Sequence, residues 1–101
     1  MRVAARRDRI HSDVVHSLRR AGMCVCDLGA VGKGVPDLAV SWRGWMAFLE
    51  VKDGAKRPSA RALTSDQKTF AESWAGPIIV ATNAEDAIDQ IIREREKWEA
   101  R

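Results

Sequence analysis

Two apolar runs of strand length, Leu38-Ala39-Val40 and Met46-Ala47-Phe48-Leu49, stand either side of Arg43-Gly44 and constrain this chain more than any other feature. Short apolar runs separated by a turn dipeptide predict a β-hairpin. This hairpin carries charge where a buried sheet should carry none. Asp37 sits at the mouth of the first strand, and Glu50 and Lys52 sit at the end of the second. Strand side chains alternate faces, so Glu50 and Lys52 point the same way. Antiparallel pairing across a tight turn brings Asp37 alongside them. Two carboxylates and an ammonium then converge at one end of an apolar hairpin. Burying them is costly unless they pair or hold a metal.

The rest of the chain is sized for one domain around one core, at 101 residues. No apolar run approaches the ~20 residues of a membrane span. Met1–Arg7 is basic, but no long apolar segment follows it, so it does not read as a secretory signal and a cytoplasmic protein is expected. Net charge is +3 and unevenly spread. Met1–Arg20 holds six basic and two acidic residues, and Lys33–Arg61 holds six against three. From Ala62 to Arg101 the balance reverses, with five basic residues against eight acidic ones. A basic surface beside a carboxylate site favours a polyanion, and nucleic acid is the obvious one.

The expected order of elements is helix, three strands, helix, strand, helix. Asp8 or Ser12 can cap a first helix reaching about Ala21, with Ile10, Val14, Val15 and Leu18 as its buried stripe. Asp13 falls just beyond that stripe, within reach of a neighbouring site, or serves as a solvated first-turn acid. His11 reads as a hydrogen-bonded interior or boundary histidine rather than a ligand. Met23–Leu28 predicts a strand whose Cys24 and Cys26 are core thiols, too close for an unstrained disulfide. Lys33 sits in a glycine-rich turn, and Lys56, Arg57 and Arg61 occupy a polar loop suited to gripping phosphates. Thr64 with Gln67 fits a capping box opening a helix that buries Phe70 and Trp74. Ile78–Ala81 predicts a strand covered on both faces. Asn83 caps a last helix lined by Ala84, Ala87, Ile88, Ile91 and Ile92. The result is an α/β fold with a four-stranded mixed sheet flanked by helices.

Paired carboxylates suit a hard divalent cation such as Mg²⁺, and the Val51 carbonyl between Glu50 and Lys52 can add an oxygen. Lys52 beside such an ion can orient water or stabilise charge on a phosphoryl oxygen. These parts describe metal-assisted hydrolysis of a phosphodiester.

Pro36-Asp37, followed thirteen positions after the aspartate by Glu50-Val51-Lys52, resembles the PD-(D/E)xK nuclease signature. With Gly34-Val35-Pro36-Asp37-Leu38, Phe48-Leu49-Glu50-Val51-Lys52 and Leu63-Thr64-Ser65-Asp66-Gln67, the chain is similar to the compact VRR-NUC branch of that superfamily from about Asp8 to Ile92. The resemblance implies a restriction-endonuclease-like core and metal binding by Asp37, Glu50 and the Val51 carbonyl, with Lys52 as catalytic lysine. It also matches Asp13 to a first-helix metal ligand and Gln67 to a glutamine near the site. The implied activity is a Mg²⁺-dependent, structure-selective DNA endonuclease, with Mn²⁺ able to substitute and Holliday-junction resolution as one form. Two alternatives are a nucleic-acid-binding module with a degenerate site and an enzyme acting on another phosphate ester. A homodimer is expected, since Trp42, Trp45 and Trp98 lie near predicted element ends and a junction needs two symmetric cuts.

Overall fold

The computed structural model describes residues 3–101, with side chains from Arg6 onward. Its elements are α1 (Val3–Arg20), β1 (Cys24–Asp27), β2 (Leu38–Trp42), β3 (Trp45–Val51), α2 (Pro58–Arg61), α3 (Ser65–Ser73), β4 (Ile78–Ala81) and α4 (Ala84–Glu99). One sheet runs in the order β1-β2-β3-β4, with the first two pairings antiparallel and β3–β4 parallel. The expected α/β fold and mixed four-stranded sheet are present. The only added element among the described residues is the short helix α2, inside the segment expected to be a loop.

The hairpin forms where the two apolar runs predict it. Arg43 (φ 49°) and Gly44 (φ 78°) both take left-handed backbone, the requirement of a tight two-residue turn matched to strand twist. That turn fixes the register Leu38↔Leu49, Val40↔Ala47 and Trp42↔Trp45. Alternation then sorts side chains by face. Leu38, Val40, Trp45, Ala47, Leu49, Ile79 and Ala81 face α1 and α4, and with Val14, Leu18, Ala87 and Ile91 they make the core. Each fully buried leucine, isoleucine or valine among them contributes about 1.5–3 kcal/mol. Asn83 caps α4 as expected, its side-chain oxygen accepting the Asp86 N–H at 2.8 Å.

The other sheet face carries α3 over β3. Phe48 meets Phe70 and Trp74 with ring centroids 5.6 and 4.7 Å away. That cover is partial, and several expectations are corrected by it. Trp74 caps the end of α3 and stays 42% exposed, and Phe70 is only half-buried. Within β4, Ile79 and Ala81 are buried while Ile78 and Val80 are half-buried, so only one face is fully covered. Cys24 and Cys26 lie on this open face at the sheet edge and are exposed, not core thiols; Val25 between them faces the core side.

Two further corrections concern α1 and the tryptophans. Helix α1 begins at Val3, ahead of both predicted caps, and Arg6 is anchored by Asp53 through contacts of 2.6 and 3.1 Å. Of the three tryptophans placed near element ends, two are absorbed by the fold. Trp45 is 5% exposed in the core, and Trp42 is flanked by the guanidinium groups of Arg43 and Arg95, 4.6 and 5.5 Å from its ring centre. Trp98 alone of the three is exposed.

Candidate active site

Asp37, Glu50, Val51, Lys52 and Gln67 meet at the end of the hairpin remote from its turn, in an open cleft of about 890 Å³. Two loops and a helix start make this convergence. Leu28 N–H donates to the Asp37 carbonyl at 2.7 Å, fixing where β2 begins. Gly34 lies against the first turn of α3, where a Cβ would come 2.2 Å from the Asp66 carbonyl oxygen. No other residue fits there, so the glycine ahead of Pro36-Asp37 sets how closely α3 approaches the carboxylates.

Asp37 accepts the Val51 N–H through Oδ2 at 2.8 Å. Alternate residues of β3 direct both backbone groups toward β2, and Val51 is one of them. Extending the register, its opposite number is Pro36. Proline has no N–H to donate, so the Val51 carbonyl receives no ladder bond there. Val51 lines the cleft beside Asp37, with that carbonyl outside the ladder.

Glu50 is the one buried charged residue among those described, at 6% exposed. Burial pushes its carboxyl pKa up, the neighbouring Asp37 charge adds to the rise, and Lys52 opposes it. Gln67 organises the remaining contacts. Its Nε2 donates to Glu50 Oε2 at 2.7 Å, and its Oε1 accepts from Lys52 Nζ at 2.9 Å and from Thr64 N–H at 2.9 Å. The Gln67 backbone N–H in turn donates to Thr64 Oγ1, completing the capping box. The two readings of Gln67, helix cap and site residue, are therefore both realised. Lys52 Nζ also stands 3.4 Å from Glu50 Oε2.

The remaining sequence candidates divide. Lys56 lines the cleft; Lys33, Arg57 and Arg61 do not. Asp13 is exposed and lies outside the lining, because the side of α1 that reaches the cleft carries Arg7, Asp8, Ile10 and His11. His11 is, as expected, a half-buried boundary histidine with a hydrogen-bond partner, Asp27. Its place on the cleft was not foreseen, although Asp27-Leu28-Gly29 at the end of a strand is a turn signal that could have drawn attention to it.

Among the described residues no group of three or more His, Cys, Asp and Glu side chains stands together as a metal cage. The donors on hand are two carboxylates and one backbone carbonyl. All are oxygens, the chemistry that Mg²⁺ or Mn²⁺ accepts, with water filling the remaining positions. The residues present fit such an ion. No family model, curated protein or solved structure matches this chain.

Proposed function

We propose that the chain is a divalent-cation-dependent endonuclease that hydrolyses DNA phosphodiester bonds, with structured DNA as its substrate. The observation carrying this reading is Glu50, a buried carboxylate set beside a second carboxylate, with its pKa raised. Lys52 answers only part of that charge, and a cation held by Asp37 and Glu50 would answer the rest. An ion held by Asp37, Glu50 and the Val51 carbonyl would acidify water and neutralise charge developing on a phosphate.

The chain's own residues supply the remaining roles. Lys52, held by Gln67 and Glu50, has an ammonium fixed in direction, as needed to orient the attacking water or to stabilise a phosphoryl oxygen. Gln67 touches both Lys52 and Glu50 and so fixes the two relative to each other. Arg7 and Lys56 on the cleft wall offer positive charge to flanking phosphates. A binding module with an inert site would use the same basic wall but would not need a buried carboxylate.

Asp37→Asn and Lys52→Met separate the reading from a purely structural ion cluster. Asp37→Asn should weaken Mn²⁺ binding in calorimetric titration and abolish cutting, while metal-free DNA binding holds or rises. Lys52→Met should keep Mn²⁺ binding and lose rate by roughly a hundredfold or more. Parent-level cutting by Lys52→Met, or parent-level Mn²⁺ affinity in Asp37→Asn, would show the assignment to be wrong.

A further inference from the structure

The cleft contains a second pair of side chains that the chemistry above leaves unused. His11 on α1 and Asp27 at the end of β1 line the same cleft as Asp37, Glu50 and Lys52. His11 Nε2 lies 3.2 Å from Asp27 Oδ2. Asp27 is itself held, its Oδ1 accepting the Gly29 N–H at 2.8 Å. The amide fixes the carboxylate and the carboxylate fixes one ring nitrogen. Among the described residues Nδ1 has no protein partner. A carboxylate that orients an imidazole in this way determines which nitrogen carries a proton outward.

Stability does not account for the pair. The Asp27 side chain is 59% exposed and that of His11 is 26% exposed, a setting in which ion pairs contribute little. At the carboxylate site Asp37 and Glu50 accept when ionised, and the Lys52 ammonium, held by Gln67 and Glu50, is already assigned to the attacking water or the phosphoryl oxygen.

We propose that His11, oriented by Asp27, is the proton donor to the oxygen that departs when the phosphodiester is cut, an assignment that rests on the nuclease reading. As the bond from the attacking water oxygen to phosphorus forms, the bridging P–O bond breaks and its electron pair stays on the leaving oxygen. That oxygen takes the Nδ1 proton of the imidazolium. The ring is left neutral and regains a proton from solvent, while the proton shed by the attacking water passes to solvent.

The test compares the parent, His11→Gln and Asp27→Asn on a DNA that the parent cuts in Mn²⁺, with the cleaved bond mapped. A matched substrate carries sulphur in place of the departing bridging oxygen, since a thiolate leaves without needing a proton. His11→Gln should slow cutting of the oxygen substrate by about a hundredfold and cut the sulphur substrate within a few-fold of the parent. Asp27→Asn should show a smaller deficit, about tenfold, rescued in the same way. Melting temperature and Mn²⁺ affinity should match the parent in both variants. Equal deficits on the two substrates, or lost Mn²⁺ affinity in His11→Gln, would overturn the assignment. Parent-rate cutting by His11→Gln removes this proposal alone, whereas a parent inert in both Mg²⁺ and Mn²⁺ removes the nuclease reading with it.

Discussion

Replacing Gly34 by alanine should be the most damaging single-methyl change in the molecule. The added Cβ would lie 2.2 Å from the Asp66 carbonyl oxygen, 2.4 Å from the Asp66 carbonyl carbon and 2.8 Å from the Gln67 nitrogen. All three are backbone atoms, so no side-chain rotation relieves the clash. The backbone at Gly34 also has φ +81°, which costs an L-residue roughly 1–2 kcal/mol. Overpacking adds about 1–3 kcal/mol. The sum, about 2–5 kcal/mol, is a large share of the roughly 5–15 kcal/mol that holds a small domain together. Gly32 supplies the control. It has φ +73° but open space within 4 Å of its would-be Cβ, so Gly32→Ala should show the conformational cost alone. Urea unfolding of both variants isolates the packing contribution as their difference. Amide exchange should also show the first turn of α3 losing protection in Gly34→Ala and keeping it in Gly32→Ala. Equal unfolding midpoints for the two variants would refute the argument that Gly34 sets the approach of α3.

Glu50→Gln should raise the melting temperature at neutral pH in EDTA. A carboxyl whose pKa is raised in the folded state binds protons more tightly there than in the unfolded chain, so stability falls as pH rises above the ordinary carboxylate range. The gain should therefore shrink as pH is lowered into that range, and Mg²⁺ should raise the melting temperature of the parent but not of the variant. Asp53 behaves oppositely: the hydrogen bond from Arg6 leads in lowering its pKa to about 2. Its contribution is present above the unfolded carboxylate pKa and lost as pH falls toward 2, so Asp53→Asn should lower the melting temperature at pH 7 and approach the parent by pH 2–3. Melts across that range check both signs.

The hairpin was legible because its information is local. Alternation, a turn dipeptide and three misplaced charges placed Asp37, Glu50 and Lys52 together without any knowledge of the rest of the chain. The caps at Thr64 and Asn83 were legible for the same reason, since each involves neighbours three residues apart. What the sequence hid depended on coverage. Cys24 and Cys26 look like core residues on an apolar strand, but β1 is an edge strand and among the described residues no helix covers its second face. Trp74 was misjudged in the same way, because burial at the end of α3 depends on what lies over it. Asp13 was misplaced by helix phase: a displacement of two residues along α1 turns a side chain by more than half a circle, and His11 reaches the cleft instead. The start of α1 was missed because Arg6 finds its partner 47 residues away.

Gln67 narrows what variation this chain can tolerate. A capping box ordinarily accepts glutamate and glutamine interchangeably, since either supplies an oxygen for the N-cap amide. Here the other half of the same amide donates to Glu50. A glutamate would satisfy the helix and the lysine equally well, yet would turn a third anionic group on the buried carboxylate. The neutral side chain is the one that serves both neighbours, so the second duty at position 67 removes a freedom that the first would have left open.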